Sequence, residues 1–160
     1  MIRHVKPSDA GELCRIYNAY IMNTRITFEE TPLTVKDMRS RIREITTAYP
    51  WLVYEKRGKV FGYTYASRWK ERSAYRYTVE AGIYIDPGQT GKGIGLELSE
   101  RLIGELRKRS FHTIICGIAL PNRASIALCK KFGFKRVAHF REVGFKLGKW
   151  VDVGYWELLL

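Results

Sequence analysis

The chain of 160 residues has little of what would staple it or anchor it. Its three cysteines, Cys14, Cys116 and Cys129, are odd in number, far apart and without a C-x-x-C pair. That argues against a disulfide framework and against a thiolate zinc site. His4, His112 and His139 are equally scattered, so no metal dependence is expected. No apolar run approaches the ~18 residues that a membrane span needs. The start, Met1 to Val5, lacks the apolar stretch and small-residue cleavage site of a secretory signal. A cytoplasmic protein that does not enter the membrane is the expectation. The five prolines are isolated, and nothing reads as a linker, repeat or low-complexity block, which makes 1–160 one expected domain.

Negative charge is also scarce. Lys plus Arg number 28 against 16 Asp plus Glu, giving a net charge of +12. This balance favours an anionic partner, either a polyanion or a phosphorylated small ligand. The basic residues are dispersed and form no tail, so no nucleic-acid partner is expected.

What the sequence does contain is an alternation of helical and strand periods. After a short strand at Ile2 to Val5, Pro7-Ser8-Asp9 opens a helix with Ser8 as its N-cap. Leu13, Ile16, Tyr17, Tyr20 and Ile21 build its apolar stripe. Thr34 and Asp37 have capping-box spacing ahead of Met38, Ile42 and Ile45. Trp51 to Glu55 and Val60 to Ala66 read as a hairpin turning at Lys56-Arg57-Gly58-Lys59. Tyr75 to Ile85 reads as a third long strand, with Val79, Ala81, Ile83 and Ile85 on one face and Thr78, Glu80 and Tyr84 on the other. A glycine loop, a helix carrying Leu98, Leu102, Ile103 and Leu106, and a strand at Thr113 to Ile118 follow. A short helix from Arg123 stops at Gly133, and two strands, Lys135 to Phe145 and Trp150 to Leu159, end the chain. The pattern predicts an α/β fold, one mixed and mainly antiparallel sheet flanked by helices.

The most informative segment is Asp86 to Leu96, which leaves a strand and enters a helix. Backbone N–H groups there lack intrahelical acceptors, the helix dipole adds partial positive charge, and glycines let an anion approach. Together these make a phosphate or pyrophosphate cradle. It is not a Walker A loop, because Lys92 is followed by Gly93 and not by Ser or Thr. Nor is it a dinucleotide fingerprint, which would need glycine where Leu96 stands.

The order strand, Gly91-Lys92-Gly93-Ile94-Gly95, helix, strand, Asn122, short helix, Lys131-Phe132-Gly133-Phe134 resembles the GNAT superfamily of acyl-CoA-dependent N-acetyltransferases, over nearly the whole chain. The stretches Ile16 to Asn18, Phe28 to Pro32, Tyr75 to Glu80 and Arg141 to Asp152 resemble its phosphinothricin acetyltransferase branch. The resemblance implies acetyl-CoA as co-substrate, with the backbone of Ile83, Tyr84 and Ile85 pairing with the pantetheine amides. It implies that Gln89, Thr90, Gly91, Lys92, Gly93, Ile94 and Gly95 hold the pyrophosphate, that Asn122 bonds the pantetheine arm and that Lys131 meets nucleotide phosphates. Thr90 stands where the superfamily usually has Arg or Gln. For Asn122 a helix N-cap role is the alternative. The branch forms homodimers through its C-terminal region, for which Trp150, Tyr155 and Trp156 are candidates.

Acetyl transfer to an amine needs a neutral amine, a donor for the developing oxyanion and a proton for the leaving thiolate. Glu80 is the candidate base, and an ion pair with a neighbouring arginine is its alternative. Main-chain N–H near Ile83 would serve the oxyanion. Cys129 occupies the position of the leaving-group acid in the short helix and is read as a packed cysteine. Lys70, Arg72 and Arg76 would receive an α-carboxylate and a second anionic or sulfone-like group, with Phe28, Tyr75 and Trp69 as walls. The implied reaction is N-acetylation of a small L-amino acid such as phosphinothricin or methionine sulfone or sulfoximine. Acetylation of a polyamine, aminoglycoside or peptide N-terminus stays open, as does a non-catalytic acyl-CoA or nucleic-acid binder.

Overall fold

A computed structural model describes all 160 residues. In chain order the elements are β1 (Ile2–His4), α1 (Ala10–Asn23), α2 (Val35–Thr46), β2 (Trp51–Lys56), β3 (Lys59–Arg68), β4 (Thr78–Ile85), α3 (Ile94–Lys108), β5 (Thr113–Ala119), α4 (Arg123–Lys131), β6 (Lys135–Lys146) and β7 (Lys149–Leu159). The seven strands form one sheet in the order β1-β2-β3-β4-β5-β7-β6. All neighbours are antiparallel except β4 and β5. The expected α/β class and the mixed, mainly antiparallel sheet are both present. No helix is long and apolar enough to cross a membrane.

Each face of the sheet receives two helices. Leu13, Ile16, Tyr17 and Ile21 of α1, with Met38 and Ile42 of α2, pack on Trp51, Val53 and Tyr63. On the other face, Leu98, Leu102 and Leu106 of α3 pack with Val79, Ile114, Ile118 and Trp156. Leu98 and Leu106 are fully buried, and each such leucine contributes roughly 1.5–3 kcal/mol by leaving water. The N-terminus of α2 forms as its spacing demands: Thr34 Oγ1 accepts from the Asp37 amide at 3.1 Å, and Asp37 Oδ2 accepts from the Thr34 amide at 2.9 Å.

Two boundaries differ from the sequence reading. Pro7–Asp9 is a separate 3-10 turn, and Ser8 caps nothing; Asp9 takes the Lys6 amide at 2.7 Å and binds Arg3 instead. A proline with fixed φ starts the turn, but the carboxylate two residues on competes better for the free amide than a hydroxyl does. The third long strand begins at Thr78 and not at Tyr75, because Ser73–Tyr75 is another 3-10 turn and Tyr77 is exposed, with the Arg76 guanidinium stacked on its ring.

The site depends on one break in the sheet. β5 pairs with β4 over Thr78–Glu80 alone, against Thr113–Ile115. Beyond that point β5 follows β7, with which it pairs along its whole length. The edge of β4 after Glu80 therefore has no strand beside it, and a gap opens between Ala81–Ile85 and Cys116–Ala119.

Candidate functional site

The glycine segment lies at the outer end of this gap. The Asp86 carboxylate accepts from the Gly88 amide at 3.0 Å and pairs with Arg15 at 2.8 Å. Burial pulls that carboxyl upward, but these two contacts outweigh it and leave Asp86 below its ordinary value. The chain then turns through Gly91 at φ +76° and Gly93 at φ +82°, in the left-handed region where only glycine is unstrained. No amide from Gly91 to Leu96 has an acceptor in the protein; Glu97 is the first to bond, to the Gly93 carbonyl at 3.1 Å. Six successive free N–H groups at a helix start fit a diphosphate. The Lys92 ammonium folds back on the Gly88 carbonyl at 3.2 Å and the Gln89 amide oxygen at 2.9 Å.

A groove of about 930 Å³ runs from this cradle toward the sheet, between α4 and the C-terminal end of α1. It brings together Ile83, Ile85, Gln89, Thr90, Gly91, Gly93, Ile94, Gly95, Asn122 and Lys131. Tyr84 contributes backbone only, since its ring points into a cluster with Tyr17, Tyr20 and Tyr63. The Ile85 carbonyl already accepts the Tyr20 hydroxyl at 2.6 Å, so the free stretch of β4 edge is Ala81 to Tyr84. Asn122 is the N-cap of α4: its Oδ1 accepts from the Ser125 amide at 3.1 Å. That leaves its amide N–H₂ free toward the groove, and capping and ligand contact are compatible. The opposite bank, Tyr20, Asn23, Thr24 and Ile26, carries no sequence motif and was missed by inspection of the chain.

The groove continues into a smaller apolar cavity of about 110 Å³ that shares Ile26, Ile83 and Asn122 with it and reaches Gly82 and Gly117. The Glu80 carboxylate lies against Gly117, which lines this cavity. A Cβ on Gly117 would stand 3.4 Å from a Glu80 carboxylate oxygen and 3.1 Å from the Tyr155 ring. No ion pair or hydrogen bond within the protein holds the Glu80 carboxylate, so the arginine pairing considered above is not formed. Burial raises its pKa above the ordinary carboxylate value, and the charge of Lys70 opposes this in part. A half-buried carboxylate without a partner, beside a glycine that lines the cavity, is suited to accept a proton. On the cavity wall Cys129 is buried against Cys116, and that thiol contact, then burial, push Cys116 well above its usual range.

The remaining predicted residues line neither the groove nor the cavity. Lys70 lies over the Trp69 ring at 4.9 Å, and Trp69 meets Tyr155 edge to face at 5.6 Å. Arg72 and Tyr75 are exposed on the β3–β4 connection, and Arg76 is taken up by Tyr77 and the Ser73 carbonyl. Phe28 is held differently: its ring lies on Gly144 of β6, where an added Cβ would come within 2.3 Å of it.

The loop carrying Phe28 is fixed by contacts that sequence inspection did not find. Asn18 grips both the amide and the carbonyl of Leu33 at 2.9 Å. Glu29 joins Arg41 and the Tyr17 hydroxyl, and the Arg41 guanidinium holds its carboxyl below the usual range. Lys146, only 3% exposed, donates to the Thr27 carbonyl at 2.7 Å, and burial lowers its pKa. Of the aromatic residues proposed for a subunit contact, Trp156 is core at 4% exposure, Tyr155 packs against Gly117, Trp69 and Phe140, and Trp150 is 63% exposed.

Comparison with known proteins agrees with this geometry. Residues 2–154 match the family model for the acetyltransferase (GNAT) domain. The chain is 33% identical to phosphinothricin N-acetyltransferase of Streptomyces viridochromogenes, over 98% of this chain and 85% of that one. It is 34% identical to the L-methionine sulfoximine/L-methionine sulfone acetyltransferase of Salmonella typhimurium, over 99% and 94%. Among solved structures, a phosphinothricin acetyltransferase from Sinorhizobium meliloti in complex with acetyl-CoA superposes with a TM-score of 0.97 at 36% identity, covering 100% of this chain and 88% of that one. The chain belongs to the GNAT acetyltransferase family.

Proposed function

We propose that this protein transfers the acetyl group of acetyl-CoA to the amino group of a small L-amino acid of the phosphinothricin or methionine sulfone/sulfoximine kind, with Glu80 as the base. The observation that carries the reading is the continuous path from a floor of unbonded amides, through the gap between β4 and β5, to an unpartnered carboxylate. Acetyl-CoA, the co-substrate, supplies an activated thioester and a thiolate leaving group.

The chain's own groups divide the remaining work. Amides of residues 91–96 and the Lys131 ammonium face a diphosphate. The unpaired Ala81–Tyr84 edge and the Asn122 amide suit the amides of a pantetheine arm. Glu80 takes a proton from the incoming ammonium; desolvation makes it a stronger base than an exposed carboxylate. Lys70 and Arg72 favour an acceptor that carries a carboxylate and disfavour a polycation. The relatives named for amino-acid substrates support this acceptor class.

The same reading includes a homodimer and a cytoplasmic setting. Phe140, Val143, Phe145 and Trp150 all expose apolar surface on the β6–β7 hairpin, and clustered exposed apolar residues mark interaction sites. Three free thiols suit a reducing compartment. The functional test is a thiol-release assay with acetyl-CoA against phosphinothricin, methionine sulfone, a panel of L-amino acids, spermidine and an aminoglycoside. Turnover confined to the amino-acid group is expected. Turnover of polyamines with silence on every amino acid would overturn the acceptor assignment.

A further inference from the structure

Two glycines face each other across the gap in the sheet, and each has a functional group resting on it. Gly117 of β5 has the Glu80 carboxylate and the Tyr155 ring against it. Gly82 of β4 has the phenol of Tyr65 across it. A Cβ there would stand 2.9 Å from the ring and 3.1 Å from the hydroxyl oxygen. Tyr65 comes from β3, opposite Gly82 in register, while Glu80 is opposite Ser67, so Tyr65 and Glu80 are diagonal neighbours on one face.

The Tyr65 ring is well anchored. It stacks on Trp51 at 4.7 Å and 26°. Its hydroxyl, by contrast, has no hydrogen-bond partner in the protein, although buried tyrosine hydroxyls usually have one. Of the neighbouring tyrosines, Tyr17 bonds Thr27 and Glu29 and Tyr20 bonds the Ile85 carbonyl, while Tyr63, 1% exposed in the core, also bonds nothing; Tyr65 is the one that lies against Gly82. Gly82 also lines the apolar cavity that receives the groove. A stacked ring therefore holds an unused hydroxyl against Gly82, which lines the cavity, on the sheet face that also carries Glu80. Burial keeps that hydroxyl protonated throughout the working range, so it can both donate and accept.

Resting on the acetyltransferase reading, we propose that the Tyr65 hydroxyl is a second contact for the acceptor amine, accepting one of its N–H bonds while Glu80 takes the proton that leaves. A primary ammonium has three N–H bonds. Loss of one to Glu80 frees the lone pair, and a second fixed contact decides where that lone pair points. A carboxylate alone would leave the amine free to rotate about a single hydrogen bond.

The experiment compares wild type, Tyr65→Phe and Gly82→Ala in steady-state kinetics and in titration calorimetry with acetyl-CoA. Tyr65→Phe keeps the ring on Trp51 and Gly82 and removes one oxygen. Loss of a hydrogen bond to a charged group lowers kcat/KM for the acceptor by about 10- to 100-fold. Acetyl-CoA affinity and Tm are expected to stay at wild-type values. Gly82→Ala retains the hydroxyl but displaces the phenol, so kcat/KM for the acceptor is expected to fall, and wild-type kcat/KM in this variant would overturn the contact. Wild-type kcat/KM in Tyr65→Phe overturns the proposal, and so does an equal loss of acetyl-CoA affinity, which would assign the hydroxyl to the cofactor. If the wild type turns over another amine and no amino acid, the variants are compared on that amine, so the two readings fail separately.

Discussion

Replacing Glu80 with Gln removes a titrating oxygen and changes the volume very little, and its consequences can be worked out in size and in pH. A positioned general base contributes roughly 10²- to 10⁴-fold. Primary amines have pKa values between about 8 and 10.4, so at pH 7 the neutral fraction is roughly between one in ten and one in 2,500. The wild type can bind the ammonium form and deprotonate it in place. Its kcat/KM for the acceptor should be flat from the Glu80 pKa up to the amine pKa, and should fall below the former. That lower limit lies above the ordinary carboxylate value, because burial raises Glu80 more than Lys70 lowers it; Tyr65, Tyr155 and Cys116 also face it but are neutral there. Glu80→Gln must capture amine already neutral in solution, so its kcat/KM should climb about tenfold per pH unit until the amine pKa. The defect is therefore expected to be largest at the acid end of the range, about 10²- to 10⁴-fold near pH 7, and to shrink steadily toward pH 9. Thiol release followed from pH 6 to pH 9.5 measures both profiles. Parallel profiles, or a variant as fast as wild type at pH 7, would remove Glu80 from the base role. Stability supplies the control. Native Glu80 binds its proton more tightly than the unfolded chain does, so its ionisation penalises the fold fully at pH values above its native pKa. Glu80→Gln should melt at the same temperature or higher at pH 7, and a fall in Tm would reassign the lost activity to folding.

Gly93→Val puts a β-branched residue at φ +82°, a strain of about 1–3 kcal/mol, and turns the loop that presents the free amides. Acetyl-CoA affinity measured by calorimetry should fall at least tenfold; unchanged affinity would rule out the cradle. Gly144→Ala builds a Cβ at 2.3 Å from the Phe28 ring and must move it. The expected result is a raised KM for the acceptor with acetyl-CoA affinity unchanged, and a rise in neither would place Phe28 outside the acceptor site.

The parts of the molecule that the sequence predicts best are those whose cause is local. The stripe Leu98-Leu102-Leu106 buries one side of α3, and Gly133 ends α4 at φ +83° as a left-handed cap. The anion cradle belongs to the same category: one unbroken segment holds the turn glycines, the free amides and the helix start. Errors appear where a neighbour distant in sequence decides. Tyr75 to Tyr77 have strand-like residue types, yet no strand runs alongside until Thr113 reaches Thr78, so the chain turns instead. Trp150 and Trp156 have the same parity on β7, but α3 and α4 cover only the latter, and a period of two cannot report how far a helix extends.

The acceptor side was largely illegible for the same physical reason. Glu80, Tyr65, Tyr155, Phe28 and Lys146 come from β4, β3, β7, the α1–α2 loop and β6, and no spacing in the sequence relates them. Family resemblance singled out several of the stretches and suggested parts for Glu80 and Phe28, but not the contacts that hold Phe28 in place. Phe28 to Pro32 and Arg141 to Asp152 meet where Phe28 rests on Gly144 and Lys146 ties down Thr27, so two motifs far apart in the chain build one wall. One signal was available and unused. Gly82 and Gly117 are isolated glycines inside strands, which usually mark a close approach by another group. Here each makes room for a side chain, Tyr65 at Gly82 and Glu80 at Gly117, so the absence of a Cβ at those two positions carried information about Tyr65 and Glu80 that neither residue's own neighbours contained.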